Sequence, residues 1–136
     1  MKNIEQLQFM ILSESGEIIF CDNALFSIDD LPSTSVFEWS PFVESIFPNL
    51  LKEDRKIYTF EKVRTIHDFL NGTYDYSFYK NDGKNNSNQI IWIISDCSKY
   101  YDELTREQQL RNQKIIEKQL NLFRKNTLPT LELISD

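Results

Sequence analysis

His67 is the single histidine of the 136-residue chain, and Asp68 follows it directly. An imidazole beside a carboxylate is the raw material of a proton-transferring dyad. The pair stands just before Asn71-Gly72, however, a dipeptide that reads as a hairpin turn. A structural histidine at or near the surface is therefore the simpler reading. One histidine also excludes His-pair metal sites and leaves a triad without a spare base. Asp29-Asp30 precede Leu31-Pro32 and read as a solvated turn, and no acidic spacing converges two carboxylates. Cys21 and Cys97 are the only cysteines, each inside an apolar pattern. They read as buried structural thiols, with a disulfide or shared metal as the alternative. Three glycines, none clustered, exclude a glycine-rich phosphate loop. No catalytic residue, metal ligand or cofactor is expected, and the chain reads as non-enzymatic.

The remaining residues must build a core. Hydrophobic residues make up 40 % and aromatics 13 %, with ten Phe and six Tyr. That aromatic mass belongs to one packed domain rather than to a disordered chain. The longest apolar run, Ile90 to Ile94, is far short of the ~20 residues of a membrane span. Residues 1–8 (MKNIEQLQ) lack the apolar stretch of a secretory signal. A cytoplasmic protein with no membrane contact is expected. The net charge of −6 is uneven: residues 1–98 carry 8 basic and 15 acidic side chains, residues 99–126 carry 7 and 4. So acidic a globular part argues against a nucleic-acid face.

Gln8 to Phe20 (QFMILSESGEIIF) is a hairpin with Gly16 in its turn, closed by Asp22-Asn23. Pro32, Pro41 and Pro48 divide residues 24–56 into two or three short helices, one capped by Ser40 before Pro41 and broken or kinked near Pro48. Strands return at Ile57. Tyr58, Phe60, Lys62, Arg64 and Ile66 alternate with Thr59, Glu61, Val63 and Thr65. Tyr74, Tyr76 and Phe78 share one face of the next strand. Asn81 to Asn88 is a polar connection, and Gln89 to Ser95, apolar on both faces, is a central strand. Trp39, Phe42, Phe47, Tyr76 and Trp92 could line an apolar pocket for an unknown small ligand, or simply fill the core.

From Asp96 the period turns helical, and no glycine or proline intervenes before Pro129. Asp96 or Ser98 can cap the start. Residues 98–126 make a rod of roughly 40 Å, after which Pro129 ends the helix and 127–136 form a tail or linker. Residues 1–97 are the domain proper. Tyr101, Gln108, Ile115 and Leu122 recur every seven residues, with Leu104 beside them. A stripe so punctuated by polar residues suits the seam of two parallel helices in a homodimer. The same stripe could instead fold back over the sheet or meet another partner.

The order of elements resembles a PAS domain, the five-stranded antiparallel sensor fold. The resemblance rests on Ile11 to Asn23 (ILSESGEIIFCDN), similar to the family's opening hairpin, and on Ile93 to Ser98 (IISDCS), similar to its Asp-x-Thr/Ser junction. Phe69 to Phe78 and Gln108 to Gln119 look like a bacterial subgroup found beside signalling output modules. The resemblance covers residues 5–125. It implies an α+β fold with short connecting helices and a long C-terminal signalling helix. It also implies ligand or partner sensing between sheet and helices, and output through Asp96, Ser98 and the last helix to a kinase or cyclase. The Asn-Cys-Arg-Phe stretch of flavin-binding relatives, a histidine for haem and the kinase phosphoacceptor motif are all missing from the sequence. The other readings of the chain are a ligand-free structural dimerisation domain and a small-molecule-binding enzyme domain of similar topology.

Overall fold

The computed structural model describes residues 2, 4–52, 57–82 and 88–135, giving the backbone alone for 81, 82 and 127–135. Five strands form one antiparallel sheet: β1 (Leu7–Leu12), β2 (Ile18–Cys21), β3 (Ile57–Ile66), β4 (Asn71–Asp82) and β5 (Asn88–Asp96). Their spatial order is β2-β1-β5-β4-β3. The run Gln89 to Ser95 is central, as its two apolar faces predict. Between β2 and β3 lie two single-turn 3₁₀ helices, Ile28–Asp30 and Val36–Glu38, and the helix α1 (Pro41–Lys52). A long helix, α2 (Ser98–Ser135), follows β5. The fold is thus α+β: a five-stranded antiparallel sheet, short helices and a long C-terminal helix. The polar connection expected over Asn81 to Asn88 is shorter: Asn81 and Asp82 belong to β4 and Asn88 to β5, and residues 83–87 lie outside the described residues.

Strand alternation sends one face of the sheet into the core. Met10 and Leu12 of β1, Tyr74, Tyr76 and Phe78 of β4, and Ile90, Trp92 and Ile94 of β5 are all buried there. Val43, Phe47 and Leu50 of α1 cover them at helical spacing. Ser40 caps α1 as expected, its Oγ accepting the Val43 N–H at 3.3 Å. Pro48 does not break α1. The buried residues on both sides of it hold the helix together despite one missing donor.

Two further expectations need correction. Asn71-Gly72 is no turn. The turn is His67–Leu70, closed by reciprocal backbone bonds of 2.9 and 3.2 Å, while Asn71 and Gly72 pair with Ile66 and Thr65 inside the ladder. In β3 the strict alternation fails, because the register shifts between Phe60 and Val63. Lys62 takes a left-handed φ of 57° there. The extra residues rotate the strand, so Val63 opposes Tyr74 and Thr65 is buried.

Gln8 is fully buried although it is polar. Its Oε1 accepts the N–H groups of Leu25 (2.7 Å) and Phe26 (2.9 Å), and its Nε2 donates to Cys21 Sγ at 3.4 Å. One side chain therefore ties β1, β2 and the loop after β2 together. Asn23, at φ 58°, starts that loop and accepts the Ile28 N–H through Oδ1 at 2.9 Å.

The chain divides into two units, Met1–Tyr101 and Asp102–Asp136. Within the second, α2 is helical through Pro129 to Ser135. The helix end expected at Pro129 is thereby corrected. A proline removes a single N–H and locally crowds the preceding turn, and the helical bonds on either side can survive that.

Candidate functional site

The passage from sheet to helix is held by several backbone and side-chain bonds. β5 ends at Asp96, whose N–H donates to Gln6 O (2.8 Å) and whose carbonyl accepts the Glu5 N–H (3.1 Å). Asp96 Oδ1 accepts the Ser98 N–H at 3.0 Å, relieving one of the orphan donors at the start of α2. Ser98 turns its hydroxyl elsewhere. Its Oγ accepts the Thr73 N–H at 2.9 Å and donates to Thr73 O at 3.2 Å. The Cys97 N–H reaches the same carbonyl at 3.3 Å. The two junction residues named from the sequence therefore do different work: Asp96 caps the helix, and Ser98 clips it to β4. Gly72 makes the clip possible. A Cβ at that position would stand 2.6 Å from Ser98 Oγ and 2.8 Å from the Tyr74 hydroxyl.

One turn later Tyr101 joins the same unit. It is 6 % exposed, and its hydroxyl donates to Asp75 Oδ1 at 2.7 Å. The Lys62 N–H, presented by the β3 bulge, donates to the same oxygen at 3.0 Å, and Lys2 Nζ lies 2.9 Å from Asp75 Oδ2. Lys2 also pairs with Glu61 at 2.9 Å. The ammonium groups of Lys2 and Lys62 stand 5.4 and 6.0 Å from the Tyr101 ring centroid. Burial disfavours the charged form of Asp75, but the bonds from Lys2, Lys62 and Tyr101 outweigh it and hold the carboxyl below its usual range. Burial raises the Tyr101 phenol, with Asp75 adding to the rise against the pull of Lys2. Tyr74, buried and beside Asp96, is pushed up to about 12. Burial and Asp75 likewise raise the Cys97 thiol, which favours its uncharged form.

Asp75 as a hub was missed from the sequence. Its only local signal is a lone acid in the aromatic run Tyr74 to Phe78. Its partners stand 73, 13 and 26 positions away, beyond any spacing rule. Tyr101 also needs correction as a seam residue. Its ring packs within the domain, where Asp75 and two lysines are better partners for a phenol than a second helix.

The other four seam residues are accessible. Leu104, Gln108, Ile115 and Leu122 are exposed, as is every described side chain from Asp102 to Asn126. Ile115 and Leu122 are 56 % and 54 % exposed. Ile116 and Leu120 form part of a second exposed apolar line.

Trp39, Phe47, Tyr76 and Trp92 are buried, and Phe42 is half-buried. Four of these rings meet one another, while Phe47 meets Phe37 edge-on at 4.9 Å. Trp39 stacks on Trp92 with centroids 6.0 Å apart, Tyr76 meets Trp92 edge-on at 5.2 Å, and Phe42 meets Tyr76 at 5.7 Å. The Tyr76 hydroxyl pairs with the buried Thr65 Oγ1. Trp92 Nε1 is buried with no hydrogen-bond partner among the described residues. Phe47 also floors a surface groove of about 470 Å³ between the Glu14 turn and α1, lined further by Phe37, Pro48 and Leu51.

The His67 imidazole stacks on Phe69 at 5.0 Å, and Trp39 stands at right angles to it. Cys21 and Cys97 are both free thiols, the second fully buried. Among the described residues, no group of three His, Cys, Asp or Glu side chains could hold a metal ion. Nor, among the described residues, is any helix long and apolar enough to cross a membrane. No protein-family model, curated protein or solved structure matches the chain.

Proposed function

We propose that the chain is a PAS-like, non-catalytic sensor and dimerisation module of a cytoplasmic bacterial signalling protein. In this reading a ligand or partner bound to the first unit changes the sheet, and α2 carries the change to an output module such as a kinase or cyclase. The observation that supports it best is the clip at Ser98. A helix start whose hydroxyl bonds both backbone groups of Thr73 cannot keep its direction if β4 moves. A five-stranded antiparallel sheet with short helices and a long last helix is the architecture that the resemblance implies. The exposed line Leu104, Gln108, Ile115 and Leu122 supports a second copy of the chain as the partner of α2.

Light scattering tests the pairing. Truncation after Thr105 and the full-length double variant I115E/L122E should both give a monomer. A dimer in both would end the seam assignment. Melting the protein with a panel of small metabolites separates sensing from scaffolding, a stabilising ligand raising Tm with the logarithm of its concentration above Kd. The ring-to-ring contacts of Trp39, Tyr76 and Trp92 favour a second reading, a dimerisation domain whose core holds no ligand. A panel without a single shift would select it.

A further inference from the structure

The charge of α2 is unevenly spread along its length. Residues 102–107 carry three acids and one base, and residues 111–125 carry five bases and one acid. The acidic residues 1–98 are joined to the negative end. Every described side chain from Asp102 to Asn126 is exposed. Glu107 reaches Arg111 of its own helix at 3.9 Å, but Asp102 and Arg124 stand about 33 Å apart along the rod and cannot meet within one chain. The seam adds a second constraint. With Gln108, Ile115 and Leu122 in one set of layers and Leu104 in the other, heptad spacing completes the second set with Arg111, Lys118 and Lys125. Two parallel helices in register would set each of these three cations against its own copy.

We propose that two copies of α2 pair antiparallel, with the pivot at Gln113. This rests on the reading that a second copy is the partner of α2, and it fixes how that copy lies. About this pivot Leu104 comes level with Leu122 of the second copy, so a leucine pair closes the seam at both ends. Arg111 comes level with Ile115 and Lys118 with Gln108, so their aliphatic stems can cover the seam while the charged heads reach water. Asp102 comes level with Arg124, and Glu103 lies within a turn of Lys125. The negative start of each helix thus runs beside the positive half of the other. The acidic residues 1–98 of the two copies then join the pair at opposite ends, where parallel pairing would crowd them at one.

The test is spin-label distance measurement on the full chain carrying Cys21→Ser, labelled at Thr105→Cys or at Asn126→Cys, both exposed and neutral positions. Antiparallel pairing separates two labels at 105 by about 24 Å along the axis and two at 126 by about 39 Å. A mixed dimer labelled once at each site brings 105 and 126 within about 8 Å along the axis. Parallel helices in register reverse the pattern: like labels lie side by side, and the mixed labels stand about 32 Å apart. Charge gives an independent sign. R124E/K125E should weaken the dimer about tenfold in sedimentation, as attraction at both ends turns to repulsion. Raising sodium chloride from about 0.05 to about 0.5 M should weaken the unmodified dimer as well. Parallel distances, or a dimer tightened by salt or by R124E/K125E, would overturn the orientation and leave the second copy as the partner. A monomer at every concentration would overturn the orientation and the pairing together.

Discussion

Replacing Gly72 by alanine should destabilise the protein through Ser98, and the size of the effect follows from the geometry. In an open strand position the substitution would gain about 0.5–1 kcal/mol, because alanine has less backbone freedom to lose. Here the new Cβ would stand 2.6 Å from Ser98 Oγ. The hydroxyl must leave, and its two bonds with Thr73 go with it. At about 0.5–1.5 kcal/mol each, their loss outweighs the entropic gain, and the net cost is about 1–2 kcal/mol. Ser98→Ala alone removes the same bonds and should cost about 1–2 kcal/mol. The double variant G72A/S98A then has no hydroxyl left to displace, so it should be more stable than S98A by about 0.5–1 kcal/mol, the gain of an open position. Urea denaturation followed by tryptophan fluorescence reads all three, since Trp39 and Trp92 are both buried. If the two single effects simply add, the strain lies on the Tyr74 ring instead, and the clip has been misread.

Gln8→Leu should cost about 2–4 kcal/mol, because the Leu25 and Phe26 N–H groups lose their acceptor where water is scarce; a midpoint in urea unchanged from wild type would contradict this. Asp75 has a carboxyl held below its usual range, so its contribution is complete above the unfolded value near 3.9 and disappears as pH falls through the lower folded value. Acid unfolding should therefore be shallower in Asp75→Asn below about pH 4, and identical profiles would remove Asp75 as the hub. Loss of the dimer in I115E/L122E should leave the stability of the first unit unchanged, read by the same fluorescence transition at matched chain concentration.

Local chemistry accounts for what was legible in the residues. Apolar runs mark β1 and β5, alternating rings mark β4, Ser40-Pro41 opens α1, and the switch to helical spacing after Asp96 locates α2. The Asp96 cap is a two-residue relation and could be read directly. Where tertiary contacts compete with local preference, the reading failed. Asn71-Gly72 has the dipeptide of a turn, but Gly72 is needed beneath Ser98, and the chain turns at His67–Leu70 instead. Tyr101 fits a heptad, yet its hydroxyl is taken by Asp75. Pro129 looks like a stop, and α2 continues past it.

The fold class and the place where the helix leaves the sheet follow from the sequence alone, because periodicity and capping act over a few residues. The clip at Ser98, the hub at Asp75, the buried Gln8 and the packing of Trp39 on His67 join residues from 13 to 73 positions apart. Only the packed sheet brings those groups within bonding distance, and no rule of spacing along the chain encodes that encounter.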